Sequence, residues 1–577
     1  MIDVRAEDPH ALEAIEWFLE GIGPLTDTQI QGIPKRSVLH SGWAPQVGSS
    51  SGGYYSAFVT RPASPVEPAT NGRRAPRIVF VARASVPETA AALAASSKAG
   101  LISELTLGDD AVGETFSIDA GGGWTASVRT SEAAISGITA DAVVAPGRND
   151  STLAYAVVLA RGDAPFAPRT TVARNDLPRR LRDDPYVESP YPELPVRLLA
   201  LFRFWSVIDW FYPYKDLIGD WDAVLRESIA CFEEAADANE YTTAVFRLVA
   251  SVPDGHSGAS GNPALKLFGG TAQIPIEVRA VEGEYVVTAK GYAEGIAIGD
   301  VVLAIDGEDL RARVERMRPL FAASTEVARV NRLLALSRRG ANDTVARVTV
   351  RRTDGSAVTV EVPRVPGYVP RISSGEPWRI LEGNVGYVDL TRLTIDRVPA
   401  MFDAIMTTRA TIFDVRGYPR GTIWAMAPRL NTKRAKTAAQ FRRRMISPAS
   451  LDERESSYEF EQHLPAGDTP LPIYQGRTIA LIDDRAISHA EHTCLFLEAA
   501  NGTTFVGTNT AGANGDITNV VLPGGFTAYF TGHDVRHADG RQLQRVGIVP
   551  DIVAAPTLAG LRAGRDEVLE RALGLLN

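Results

Sequence analysis

Residues 478–502 read TIALIDDRAISHAEHTCLFLEAANG. The opening TIALI is short, apolar and rich in strand-favouring residues, and DDRA follows it as a turn. From Ser488 onward the pattern has helical length and closes on Asn501-Gly502, a helix stop signal. A strand passing through a tight turn into a helix is the repeating unit of an α/β fold. Ser488 sits at the turn. A serine there exposes its hydroxyl, and the backbone N–H groups beside it lie at the positive end of the helix, where they stabilise an oxyanion. The same residues also fit a helix cap, because Ser488 followed three positions later by Glu491 is the pattern of a capping box. Local sequence leaves both readings open.

Working outward, the region 375–577 alternates strand and helix. Strands are expected at Val385–Leu390, Thr411–Val415, Thr478–Ile482 and Thr503–Val506, with helices over Asp396–Thr407, Ser488–Ala500 and Asp566–Leu576. That alternation predicts an α/β catalytic core, with reactive groups at the C-terminal ends of strands. Upstream, residues 265–365 carry short strand-like runs at Ile274–Val278, Tyr285–Ala289, Val301–Ile305, Ala346–Arg351 and Val358–Val362. They predict a compact antiparallel β module. Residues 196–260 predict a small helical bundle: PVRLLALFRFWSVIDWFYPY is apolar nearly all round, as a buried helix is. Trp221–Ala236 and Tyr241–Ser251 supply two more helices, and the bundle stops at the turn Val252-Pro253-Asp254-Gly255-His256. Residues 176–195 are charged and Pro-rich, a linker. Residues 1–175 hold short β runs at Tyr54–Thr60, Arg77–Ala82, Trp124–Thr130 and Ala154–Ala160, which predicts a β-rich or α+β domain without a catalytic pattern. The whole is a multi-domain α+β chain around an α/β core.

With 577 residues, the chain exceeds one hydrophobic core. No apolar run approaches the ~20 residues that span a bilayer, so no membrane partner is expected. The net charge of -9 argues against nucleic acid as a partner. The basic clusters Arg179–Arg182 and Lys433–Arg444 sit among polar residues and read as solvated faces or loops. Cys231 and Cys494 lie in helix-like apolar stretches and read as buried free thiols. The acidic, amphipathic start MIDVRAEDPHALEAIEWFLEG lacks the features of a secretory signal, so a cytoplasmic location is expected.

A serine nucleophile needs a base. No lysine follows Lys436, which excludes a Ser–Lys dyad within the last region and leaves histidine. His256 has the best context, in a tight Asp-Gly-His-Ser turn. His489 and His492 lie along the Ser488 helix, and His533 and His537 flank a polar turn. A metal site would need HExxH or a close cysteine pair, and neither occurs. No GxxxxGK[ST] phosphate loop occurs either. No metal or cofactor is expected.

Four pieces of sequence, in order, resemble the tail-specific, C-terminal-processing and tricorn-core serine peptidases, peptidase family S41. FRFWSVIDWFYPYKD (202–216) with VPDGHSG (252–258) resembles the bundle ending in the family's histidine turn. AEGIAIGDVVLAIDGEDL (293–310) resembles the core of its PDZ domain. VGYVDL (385–390) and TIFDVRGYPRG (411–421) resemble its Gly-Tyr strand and Gly-rich loop. ALIDDRAISHAEHT (480–493), GTNTAGANG (507–515) and RQLQRVGIVPDI (541–552) resemble its nucleophile segment and terminal segments. The resemblance covers about residues 195–560.

It implies a crotonase/ClpP-like core and a serine endopeptidase that cuts polypeptide, engaged through its C-terminus by the PDZ-like module. Ser488 matches the nucleophile and His256 the general base. The backbone N–H of His489 and one near Arg420 or Gly421 match the oxyanion hole. Arg420 stands where the family loop has glycine. Gly255 stands where the tricorn-like tetrad has serine, and Gln544 where an acid is expected. Asp254 and Glu491 are the candidates left for orienting His256. Two alternatives stay open: a small-molecule hydrolase or acyl-transfer enzyme using the same serine, and a lipid- or retinoid-type carrier on the same fold. Whether the chain forms a homo-oligomer also stays open.

Overall fold

The structure, a computed structural model, describes residues 1–6, 9–21, 25–42, 51–52, 55–68, 77–108, 110–146, 151–176, 183–261, 270–368, 375–446, 457–465 and 471–576. The basic cluster Arg179–Arg182, residues 177–182 of the expected linker and the first residues of the expected β module lie outside them. The chain divides into two compact units. The first comprises Met1–Ser41, Tyr55–Leu181 and Met445–Ser456, and the second the remainder. Among the described residues, no helix is long and apolar enough to cross a membrane.

The first unit is built on a parallel sheet of Ile2–Asp3, Ile78–Ala82, Ala99–Ser103 and Ala142–Val143. Its central strands are buried on both faces, as parallel strands covered by helices are. The helix Glu88–Ala95 packs on one face with Phe80 and Leu101, and the helix Ser151–Arg161 on the other with Val79, Val81 and Ile102. This layer is α/β, and the same unit also carries antiparallel strands, Lys35–Ser41 with Tyr55–Arg61 among them. The β run expected at Ala154–Ala160 is part of the second helix. Its buried residues fall at helical spacing, Thr152, Ala156 and Leu159, and not at every second position.

The second unit begins with three helices, Leu194–Phe211, Trp221–Glu234 and Ala238–Ala250. The first is not buried all round. Arg197, Ala200, Leu201, Phe204, Val207 and Ile208 face the core, while Phe202 and Trp210 are exposed. Cys231 is exposed, which corrects its reading as a buried thiol, and Cys494 is buried. A six-strand antiparallel sheet follows: Ile276–Val281, Glu284–Lys290, Val301–Ile305, Val345–Arg351 and Ala357–Pro363 in order, with Glu308–Asp309 also paired to Val301–Ile305, and the helices Leu310–Met317 and Glu326–Ser337. The basic run at 433–444 is part loop and part strand: Lys433, Arg434 and Lys436 are exposed before the strand Thr437–Ile446, and Arg442–Arg444 lie on it, with Arg443 stacked on Tyr458.

The last part carries a six-strand sheet in the order Trp378–Leu381, Val385–Asp389, Ala410–Asp414, Arg477–Ile482, Thr504–Gly507 and Ile552–Val553. All but the first are mutually parallel. The hairpin Ile517–Leu522 and Phe526–Thr531 does not join this sheet. It pairs with Gly258–Ser260, the strand that follows His256, and buries Val520, Leu522, Phe526 and Phe530 in the same core as the helical bundle. A residue from the C-terminal third of the chain thereby reaches the histidine turn.

Candidate active site

Strand Arg477–Ile482 is buried from Thr478 onward and delivers the chain to the turn 483–487. The helix His489–Asn501 starts directly after Ser488 and ends at Gly502 in the left-handed conformation, φ 72°. Ser488 itself has φ 57° and ψ -120°, and its side chain makes no capping hydrogen bond. That excludes the capping-box reading. A non-glycine residue held at positive φ is strained, and such strain persists where surrounding contacts over-determine it. Here the Ser488 N–H donates to the Ala513 carbonyl at 2.8 Å, and the Ser488 carbonyl accepts the first helical bond from His492 at 2.9 Å. Asp483 and Asp484 anchor the turn. Asn331 Nδ2 donates to Asp484 at 2.8 Å, and Arg279 is ion-paired with both carboxylates. Burial would raise the Asp483 carboxyl, but Arg485 and Arg279 hold it down at about 2.

The histidine turn is organised around Asp254, which is fully buried. Its carboxylate accepts the His256 N–H at 3.0 Å and the Thr531 N–H at 2.7 Å. It also accepts the Thr531 hydroxyl at 2.8 Å, and that oxygen lies 2.8 Å from His256 Nδ1. A carboxylate only accepts, so the Thr531 proton points to Asp254 and the hydroxyl oxygen accepts Nδ1–H of His256. This assignment leaves Nε2 unprotonated, the form of a general base. His256 Nε2 is buried and has no hydrogen-bond partner among the described residues, so no hydrogen bond joins it to Ser488 in this conformation. Such bonds often form only once substrate is bound. Burial lowers the His256 pKa, against the opposing pull of Asp254.

The histidine turn and the serine turn are neighbours. A Cβ on Gly255 would lie 2.8 Å from the Ala513 side chain and 3.2 Å from that of Ile487, the residue before Ser488. A side chain at 255 would push the two turns apart, so the glycine permits their close approach. Gln544 Nε2 is 3.3 Å from Asp254 and 3.4 Å from the Ser324 hydroxyl, which itself accepts the Gly255 N–H at 2.8 Å. Gln544 thus touches the carboxylate and not the imidazole.

Glu491 is not brought to His256. Its buried carboxylate accepts the N–H groups of Gly512 at 2.7 Å and Ala513 at 2.9 Å, together with the Thr510 hydroxyl. It pins the segment whose Ala513 carbonyl holds Ser488. Burial raises the Glu491 pKa to about 7. Glu491→Ala strands three donors and is expected to cost roughly 3 kcal/mol or more, measured as a lowered denaturation midpoint. A folded-state pKa above the unfolded 4.5 gives stability present below pH 4.5 and lost as pH rises through about 7. The gap between wild type and variant therefore narrows over that window.

The Gly-rich loop leaves the C-terminal end of Ala410–Asp414, the strand beside Arg477–Ile482 in the sheet. Arg416 is ion-paired at 2.7 Å with both Asp414 and Asp566, and Gly421 takes φ 71°. Arg420 turns its guanidinium onto the Thr391 carbonyl at 3.1 Å. The Tyr418 ring lies 6.1 Å from that of His489, and the Trp424 ring 5.7 Å from it, so the loop runs beside the first residue of the serine helix. Among the described residues, no group of three His, Cys, Asp or Glu could hold a metal.

The residue that sequence reasoning missed is Thr531. Its segment AYFTGHD has no catalytic signature; only the pairing of Gly258 with Tyr529 brings it to His256.

Residues 384–554 match the model of peptidase family S41. No curated protein matches the chain. Among solved structures, mature CPAF is 15% identical, covers 64% of this chain and 94% of its own, and superposes with a TM-score of 0.50. Mature CPAF complexed with lactacystin is likewise 15% identical, covers 66% of this chain and 97% of its own, and gives a TM-score of 0.50. The photosystem II D1 C-terminal processing protease covers 62% of this chain and 93% of its own at 15% identity, with a TM-score of 0.40. The structural likeness speaks to the fold, and the family match to the chemistry, supporting proteolysis over the small-molecule and carrier alternatives. Residues 384–554 are thus similar to peptidase family S41, and this match marks the chain as a serine-type peptidase.

Proposed function

We propose that Ser488 is the nucleophile of an endopeptidase and His256 its general base, oriented by Asp254 through Thr531. The observation that carries this is the closeness of two turns: one holds a strained, uncapped serine between strand and helix, the other a buried imidazole whose Nε2 has no partner among the described residues. Packing of Gly255 against Ile487 and Ala513 supports their proximity.

In this reading, Ser488 Oγ attacks the scissile carbonyl as His256 Nε2 takes its proton. The tetrahedral oxyanion is met by the backbone N–H of His489 and one from the loop at Arg420–Gly421. His256 then returns the proton to the leaving amine, and water attacks the acyl-enzyme by the same route. A fluorophosphonate probe tests the assignment. Wild-type protein should label and Ser488→Ala should not; an unlabelled wild type across pH 6 to 9 would sink it.

The base must be neutral to act. Burial lowers the His256 pKa from its ordinary 6.5, so the acid limb of kcat/KM on an unfolded polypeptide falls below pH 6.5. A limb above that value would assign the titration to another group.

The six-strand module at 276–363 fits the PDZ-like, tail-engaging role, in which a substrate C-terminus adds as a strand. Its edge strand Ile276–Val281 donates the Ala280 N–H to Asn331 Oδ1 at 3.0 Å. An incoming strand at that position has to displace Asn331. Comparing cleavage of one polypeptide with a free and an amidated C-terminus tests tail engagement: equal rates reject it.

A further inference from the structure

The first unit carries an antiparallel hairpin, Thr115–Gly121 with Trp124–Arg129, that joins no other strand among the described residues. Its sequence alternates strictly. Thr115, Ser117, Asp119, Thr125, Ser127 and Arg129 take one face. The other face carries Phe116 opposite Val128, Ile118 opposite Ala126, and Trp124 opposite Gly121. Alternation of this kind is what a strand shows when one face is buried. Yet the apolar face lies in solvent: Phe116 is 60% exposed, Ile118 46%, Trp124 77% and Val128 44%. The helix Pro9–Gly21 packs beside the strand Thr115–Gly121, and its Trp17 and Phe18 are 81% and 57% exposed. An isolated two-stranded hairpin is marginal in water without a layer packed on it.

We propose that this face is covered by the same face of a second copy of the chain. The area fits. The four hairpin side chains expose about 450 Å², and with Trp17 and Phe18 the total is about 800 Å², one partner's share of a standard dimer interface. A ribbon with an uncharged apolar stripe is self-complementary about a two-fold axis, and two such ribbons face to face make the two-layer sandwich that each lacks alone. A lipid surface fits less well. Interfacial helices carry Lys and Arg around their apolar face, whereas this helix carries Glu13, Glu16 and Glu20 and neither Lys nor Arg.

The test is sedimentation equilibrium of the full chain at tens of micromolar. Wild type is expected as a dimer, Phe116→Asp/Trp124→Asp as a monomer, and Ser127→Lys on the polar face as a dimer. Hydrogen exchange at residues 115–129 reads the same event without a variant: protection rises with concentration. A monomeric wild type, a double variant that dimerises like wild type, or a hairpin whose exchange ignores concentration overturns the inference. So does wild type that stays monomeric but binds phosphatidylcholine vesicles through Trp124. The inference stands apart from the serine assignment, because fluorophosphonate labelling of Ser488 is followed in every variant and reports that assignment separately.

Discussion

Ser488→Ala is expected to reduce peptide hydrolysis by roughly 10⁴-fold or more while the protein keeps its fold. In the proposed mechanism the Ser488 hydroxyl forms the acyl bond, and water bound in the same place does not make up its loss. Stability should hardly change, because Ser488 makes no side-chain capping bond that alanine would remove. The strained backbone at φ 57° is kept by the Ala513 carbonyl on its N–H and by the helix beyond it, and alanine retains both contacts. The measurement is kcat/KM on an unfolded polypeptide together with a thermal melt. Activity within tenfold of wild type would remove Ser488 from the mechanism, and a collapsed melting temperature would return it to the structural role of a cap.

Thr531→Val should lower kcat by roughly 10²- to 10³-fold with KM little changed. The hydroxyl accepts Nδ1–H of His256 and donates to Asp254, so it fixes the tautomer that leaves Nε2 free. Valine keeps the shape and removes both bonds. The imidazole then loses the acceptor that selects its tautomer, and its positive charge in the transition state loses the link to the carboxylate. Thr531→Ser preserves the hydroxyl and is expected to recover most of the rate. A purely structural threonine would give a different pattern, with Val and Ser variants alike in rate and differing only in stability. Equal kcat in Thr531→Val and wild type would place the orienting group elsewhere.

These two residues differ in how far they could be read in advance. Ser488 was visible because its evidence is local: a short apolar strand, a turn and a helix that stops at Asn501-Gly502. Four of the six strands of the core sheet came within a residue or two of their expected bounds for the same reason, Val385–Asp389 and Arg477–Ile482 among them, while Trp378–Leu381 and Ile552–Val553 were not anticipated. The helix at Ser151–Arg161 was misread because AYAVVLA is as apolar as a strand, and only the sheet beneath it chose the helical period. Glu491 had the right spacing for a capping box, but Ser488 gives no side-chain cap and the Glu491 carboxylate accepts from Gly512 and Ala513, buried donors that only the tertiary fold brings to it.

Sequence alone determined the serine at the strand-to-helix turn, the absence of a nearby lysine and the histidine turn that could replace it. Tertiary structure decided what those residues do to one another. The pairing of Gly258 with Tyr529 put a threonine from position 531 between Asp254 and His256, and Gly255 let the histidine turn close on Ile487 and Ala513. Such contacts join positions more than 200 residues apart, and periodicity and spacing report only on neighbours along the chain. Catalytic orientation depends on hydrogen-bond geometry of a few tenths of an ångström, which only the folded core fixes.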